Sequence, residues 1–228
     1  MRKHFGQMVR ILVAVNMLLS PCVVAAIAQP KDAPVRIVAF GDSLTVGYML
    51  AARDAFPAQL ERKLKAAGLN VEIANAGVSG DTTAGGLARL EWAVPEGTDA
   101  VILELGANDA MRGLDPGKAR RNLGTIIERL KARGVDVLIA GMLAPGNLGQ
   151  EYASAFNAIF PELAQRHGVL FYPFFLQGVA MRGKLNLGDG IHPNAEGVAV
   201  IVDGIVPKVE ELIARVRERR VQHQGGRG

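Results

Sequence analysis

Only a few polar residues stand where this chain could use them for covalent chemistry. Three serines and three histidines follow residue 28: Ser43, Ser79 and Ser154, and His167, His192 and His223. Ser43 comes directly after an apolar run and Gly41, where a hydroxyl can project while its own backbone N–H stays free to donate. His192 lies in a loop bounded by Gly190 and Pro193, and Asp189 precedes it by three residues, a separation that one turn can close. A carboxylate so placed can accept from one imidazole nitrogen and fix the tautomer, leaving the other nitrogen to face a nucleophile. The chemistry of such a set is attack on a carbonyl carbon. Each part also has a plainer explanation, with Ser43 a helix N-cap and Asp189 and His192 a local turn held by an Asx contact.

The competing residues are weaker. His167 stands at the end of a helical stretch, where an imidazole near the carbonyl ends is commonly structural, and His223 is in the terminal tail. Ser79 sits in Gly77-Val78-Ser79-Gly80-Asp81, which lacks the second glycine of the Gly-x-Ser-x-Gly nucleophile elbow. In that segment Gly80 can bring a bare backbone N–H close to a ligand, and the Asn108 amide is a neutral donor. With the Ser43 N–H they would complete an oxyanion site. Glycine in a turn and asparagine at a helix start are each common for conformational reasons, so the coincidence of the blocks is the signal.

What must position these residues is a parallel sheet. From Val35 onward, short β-rich runs alternate with longer amphipathic stretches, the pattern of an α/β fold. Strands are expected at Val35 to Phe40, Val71 to Asn75, Ala100 to Leu105, Val135 to Ala140 and Val169 to Tyr172, and each is nearly continuous in apolar residues, as helix-covered strands are. Helices are expected at Ala55 to Ala67, Thr82 to Trp92, Pro116 to Arg133, Glu151 to His167 and Asn194 to Val216. In an open parallel sheet ligands bind outside the carboxyl ends of the strands. Ser43, Gly80 and Asn108 follow the first three strands, and Asp189 with His192 lies downstream of the fifth. One domain over residues 29–215 and a loose, Arg- and Gly-rich tail over 216–228 are expected.

Residues 1–28 read as a secretory signal, with Arg2, Lys3 and Arg10 ahead of an apolar run and Ala26-Ile27-Ala28 as the cleavage site. Two alternatives are a retained membrane anchor, against which Asn16, Ser20 and Pro21 interrupt the run, and a lipoprotein modified at Cys22, against which Pro21 is unfavourable. Removing Arg2, Lys3 and Arg10 from 26 basic residues leaves 23 against 22 acidic, a net of +1. That leaves no footprint for nucleic acid. A single cysteine, Cys22, and four histidines argue against a disulfide framework or a thiolate metal centre. The expectation is a periplasmic or secreted monomer with no cofactor and no metal.

Four segments then carry a resemblance. They are Gly41 to Tyr48 (GDSLTVGY), Asn75 to Leu90 (NAGVSGDTTAGGLARL), Glu104 to Asp109 (ELGAND) and Asp189 to Asn194 (DGIHPN). In these the chain resembles the SGNH (GDSL) hydrolases, and within them the exported bacterial thioesterases, lysophospholipases and arylesterases. Ala107 stands where many of those relatives have glycine. The resemblance implies a three-layer α/β/α sandwich with flavodoxin-like strand order 2-1-3-4-5. It also implies a Ser43, His192 and Asp189 triad, oxyanion donors at Ser43, Gly80 and Asn108, and a small-molecule acyl ester or thioester substrate. The segment Met142 to Tyr152 looks like the family's loop beside the acyl groove. Leu143, Pro145 and Leu148, with Met111, would then offer a hydrocarbon surface, or would simply pack that loop onto the sheet. Acyl transfer to, or deacetylation of, a carbohydrate or lipid hydroxyl would use the same catalytic residues, and a non-catalytic binding module would use the same fold.

Overall fold

A computed structural model describes residues 33–225. Its centre is a parallel sheet of β1 (Val35–Gly41), β2 (Val71–Gly77), β3 (Ala100–Glu104), β4 (Asp136–Ala140) and β5 (Leu170–Tyr172). The order is β2-β1-β3-β4-β5, the one the resemblance implies. Burial is nearly complete along β1, β3 and β4, whereas β2 is an edge strand with Ala74 and Asn75 exposed. The apolar strand runs therefore stand for burial in the middle of the sheet only. Gly41 pairs with Gly77 on one side and with Glu104 on the other. In this register the carboxyl ends of three adjacent strands finish level, and their loops leave from one place.

The helices are α1 (Ser43–Val46), α2 (Phe56–Ala66), α3 (Thr83–Ala93), α4 (Ala107–Met111), α5 (Pro116–Ala132), α6 (Gln150–Asn157), α7 (Ile159–His167) and α8 (Ala195–Gly225). Helices α2 and α8 pack together, while α3, α5 and α7 form a second row, giving the three layers. The single helix expected from Glu151 to His167 is instead two, α6 and α7, meeting at Ala158. Pro161 explains the break: it has no N–H for the Asn157 carbonyl, and its ring would crowd that group in a continuous helix.

Residues 216–225 also differ from the expectation of a loose tail over 216–228. Helix α8 continues through Gly225, and the buried series Val209, Leu212, Ile213 and Val216 carries its apolar stripe past residue 215. Arg219 then donates to Asp136 Oδ2 at 3.1 Å. Arg220 donates to Asp99 Oδ2 at 2.7 Å and to the Ala33 and Pro34 carbonyls at 2.9 and 3.0 Å. An arginine-rich run looks solvated until the acceptors that face it are known. The proposed signal segment and Cys22 lie outside the described residues.

Candidate active site

Asp42, not Ser43, caps the first short helix: its side chain accepts from the Leu44 N–H at 3.0 Å. Ser43 thus stands one residue inside α1, its hydroxyl released from capping. Glycine is required just before, because a Cβ on Gly41 would collide with Thr45 Oγ1 and with Glu104. Gly77 pairs beside Gly41, and Arg89 clamps the two strand ends together. Its guanidinium donates to the Gly41 and Ala76 carbonyls at 2.8 Å each and to Asp81 at 2.5 Å, and lies 4.2 Å over the Phe40 ring.

From the opposite end of the chain, His192 brings Nε2 to 2.9 Å from Ser43 Oγ, and its Nδ1 lies 2.7 Å from Asp189 Oδ2. A carboxylate at that distance holds the proton on Nδ1 and leaves Nε2 as the acceptor for the Ser43 hydroxyl. Asp189 also makes the Asx contact of the plainer reading: Oδ1 accepts the Ile191 and His192 N–H groups at 2.9 and 3.0 Å. One carboxylate therefore folds the turn and faces the imidazole. These donors, His192 N–H foremost, hold Asp189 down to about 2. The loop is pinned at both sides, since Leu187 N–H donates to the His192 carbonyl at 2.7 Å and Asn194 starts α8 by accepting the Gly197 N–H at 2.9 Å.

Gly80 takes φ +82° in the loop after β2, a left-handed conformation that glycine adopts without strain, and Arg112 braces its carbonyl at 2.9 Å. Asn108 enters from the first turn of α4, with Nδ2 donating to Asp42 Oδ2 at 3.0 Å. Asp109, next to it, is buried and accepts from Thr83 N–H at 2.8 Å and Thr83 Oγ1 at 2.6 Å, tying α4 to the start of α3. Of the competing serines, Ser79 is exposed, and Ser154 accepts from Gln150 on α6.

The apolar residues expected at the substrate surface divide. Leu143 and Met111 are 49% and 54% exposed, while Pro145 and Leu148 are half-buried. The loop carrying them is fastened by Ala144 N–H on Asn157 Oδ1 at 2.9 Å, and by Tyr152 O–H on the Leu114 carbonyl at 2.8 Å.

Three neighbours of these residues escape a reading of the sequence. Tyr48 lies against His192 with ring centroids 4.5 Å apart, a contact without a local signature. Asp42 and Glu104 form a buried carboxylate pair, Glu104 Oε2 accepting the Asp42 N–H at 3.3 Å and Thr45 Oγ1 at 2.7 Å. Burial pushes Asp42 up to about 6, and burial followed by the Asp42 charge raises Glu104 well above the usual carboxylate range. A charged residue ending the run Ala100-Val101-Ile102-Leu103 was the available sign of Glu104.

The model of the GDSL-like lipase/acylhydrolase family matches residues 39–200. The chain belongs to this family. As a GDSL-like acylhydrolase it is 32% identical to the esterase TesA of Pseudomonas aeruginosa over 198 residues, 86% of this chain and 98% of that protein. It is 34% identical to an arylesterase of Vibrio mimicus over 84% of this chain and 96% of that one. It is also 35% identical to thioesterase 1/protease 1/lysophospholipase L1 of Escherichia coli over 78% and 84% of the two chains. Among solved structures, AlinE4, an SGNH-hydrolase family esterase, is 44% identical with TM-score 0.67, covering 78% of this chain and 96% of its own. The crystal structure of TesA gives TM-score 0.74 at 32% identity, over 78% and 99%. This acylhydrolase is an SGNH-type esterase, and its activity is ester hydrolysis.

Proposed function

We propose that this acylhydrolase cleaves carboxylic esters and thioesters through an acyl-enzyme on Ser43. The observation that carries the reading is the unbroken relay from Asp189 through His192 to Ser43, with contacts of 2.7 and 2.9 Å. His192 Nε2 takes the hydroxyl proton as Ser43 Oγ bonds to the acyl carbon. The negative charge on the carbonyl oxygen is received by the Ser43 and Gly80 N–H groups and the Asn108 amide. Collapse of this intermediate breaks the bond to the alkoxide or thiolate, which leaves with the proton from His192. Water then repeats the attack with His192 as base, releasing the acid and restoring Ser43. Asp189 stays ionised throughout and steadies the imidazolium.

The substrate class proposed is an acyl chain of medium length on an aryl, thioester or lysophospholipid leaving group. Exposed Leu143 and Met111 beyond β4 and β3 and the names of the relatives support it. The basic and apolar start of the chain supports export to a periplasm or beyond.

A fluorophosphonate probe with peptide mass analysis tests the mechanism: the label should sit on Ser43 and abolish hydrolysis. Labelling elsewhere with full loss of activity would reject Ser43 as nucleophile. Product analysis in added alcohol separates hydrolysis from acyl transfer.

A further inference from the structure

The connections that leave the carboxyl ends of the sheet expose an apolar side chain after every strand. Met49 follows β1, Val78 follows β2, Met111 follows β3, Leu143 follows β4 and Met181 follows β5, and each is at least 39% exposed. Outside these connections, the large apolar residues exposed on the described surface are Trp92, Val200 and Val221. Scattered apolar residues are ordinary, but their gathering at one end of a sheet marks an interaction surface. This one reaches the site of Ser43, since Tyr48 rests on His192 and Ile191 directly precedes it.

Two of these residues stand there at a cost in strain. Met49 and Met181 are the non-glycine residues with a left-handed backbone among the described residues, at φ 58° and 62°, where a Cβ crowds the following carbonyl. Their side chains are 79% and 97% exposed, so no burial within the chain offsets that strain. A contact outside the chain would offset it, and the flexible thioether of methionine suits an irregular apolar surface.

Charge indicates which surface that is. Arg112 adjoins Met111, and Arg182 and Lys184 follow Met181. All three are exposed, and among the described residues none is in an ion pair; Arg112 spends one N–H on the Gly80 carbonyl. The acids of the same loops are engaged: Asp54 with Arg53, Asp81 with Arg89, Asp189 with His192, and Asp115 as the cap of α5. Glu151 and Glu196 begin α6 and α8, where the helix dipole favours a carboxylate. Apolar tips flanked by free cations match a lipid surface with anionic headgroups: the tips enter the acyl region while the long basic side chains stay among the phosphates.

We propose that the face around Ser43 docks on an anionic lipid surface through Met49 and Met181 with Arg182 and Lys184, so that acyl substrate passes from that surface to the site. The inference deepens the reading of Ser43 as nucleophile and rests on it for the place of the site on this face.

Vesicles of dialkyl ether lipids, which offer no ester to cleave, test it on the whole enzyme. One set carries phosphatidylglycerol and phosphatidylcholine headgroups in equal parts, the other phosphatidylcholine alone. Cosedimentation should show binding to the anionic set roughly tenfold tighter. That set should also slow hydrolysis of soluble p-nitrophenyl butyrate more than the neutral set does, because the docked face covers the site. Asparagine accepts a left-handed φ, so Met49→Asn with Met181→Asn removes the apolar tips without new strain. Vesicle affinity should fall roughly tenfold or more, with the butyrate rate in free solution within about twofold of wild type. Arg182→Gln with Lys184→Gln should cost roughly fivefold per charge on the anionic set and little on the neutral one. Undiminished binding by the asparagine variant, or binding that leaves the butyrate rate unchanged, would place the contact elsewhere on the chain and overturn the proposal. So would equal binding to both sets, no binding by the wild type, or a dimer in sedimentation velocity that the asparagine substitutions dissolve, which would give the face to a second copy of the chain. Should the asparagine variant fail to fold, the glutamine variant carries the test alone. Ser43→Ala should bind vesicles as the wild type does. If it binds and keeps its activity, the nucleophile reading falls and the docking face stands. If it is inactive while the wild type ignores vesicles, only the docking falls.

Discussion

His192 Nε2 lies 2.9 Å from Ser43 Oγ although 149 positions separate the two residues. The fold brings the loop before α8 back over the end of β1. Ser43→Ala should therefore lower kcat by several orders of magnitude with unchanged circular dichroism, since nucleophile and base act as a unit. Ser79→Ala should keep most of the activity. The reverse pattern would move the nucleophile to the loop after β2.

Asp189 is held down to about 2 by the N–H groups of His192 and Ile191, which keeps it ionised at neutral pH. Asp189→Asn should remove most of kcat even at pH 8, because the amide cannot hold the imidazole proton on Nδ1 in the same way. Full activity of this variant at alkaline pH would deny the carboxylate its part.

Asp42, pushed up to about 6 by burial from an ordinary value of 3.8, binds its proton more tightly in the native than in the unfolded chain. Its contribution to stability is then fully present below pH 3.8 and is lost as pH rises through about 6. Guanidinium unfolding at pH 4.5 and 7.5 should show a smaller loss of stability across that interval in Asp42→Asn than in the wild type. An equal or larger loss in the variant would mean that Asp42 is not the group responsible.

Substrate preference should reflect the apolar surface beyond β3 and β4. Each methylene buried against Leu143 or Met111 strengthens transition-state binding by up to about 0.8 kcal/mol, so medium acyl chains should be preferred to acetyl. Leu143→Ser should cost more as the acyl chain lengthens. A kcat/KM that is greatest for acetyl and falls steadily with length would refute the hydrocarbon surface.

The end of α8 should matter for stability. Arg220 and Asp99 have side chains only 12% exposed, and Arg220→Ala takes the donor from the Ala33 and Pro34 carbonyls and leaves Asp99 with the Arg36 N–H but without its cation. The expected cost is about 2 to 4 kcal/mol, read by chemical denaturation. Loss of less than about 0.5 kcal/mol, the range of ordinary surface changes, would return the segment to the status of a solvated end.

The strand runs, the Asp189 to His192 spacing and the glycine beside Ser43 were legible in the sequence because they depend on local rules: strand burial, the reach of one turn, and close approach after a strand. Those rules located five strands and left Ser43, His192 and Asp189 the strongest candidates by elimination. Resemblance in four short segments supplied the strand order. Other features depend on groups distant in the chain. That Asp42 caps α1 and leaves the Ser43 hydroxyl to meet His192 is seen only in the fold. The burial of Glu104 followed from β3 lying between β1 and β4. The ordered end of α8 followed from Asp99 and Asp136 standing opposite Arg220 and Arg219. A sequence carries the chemistry of each group but not the identity of its partner. Only folding sets which donor faces which acceptor, and how much water is left between them.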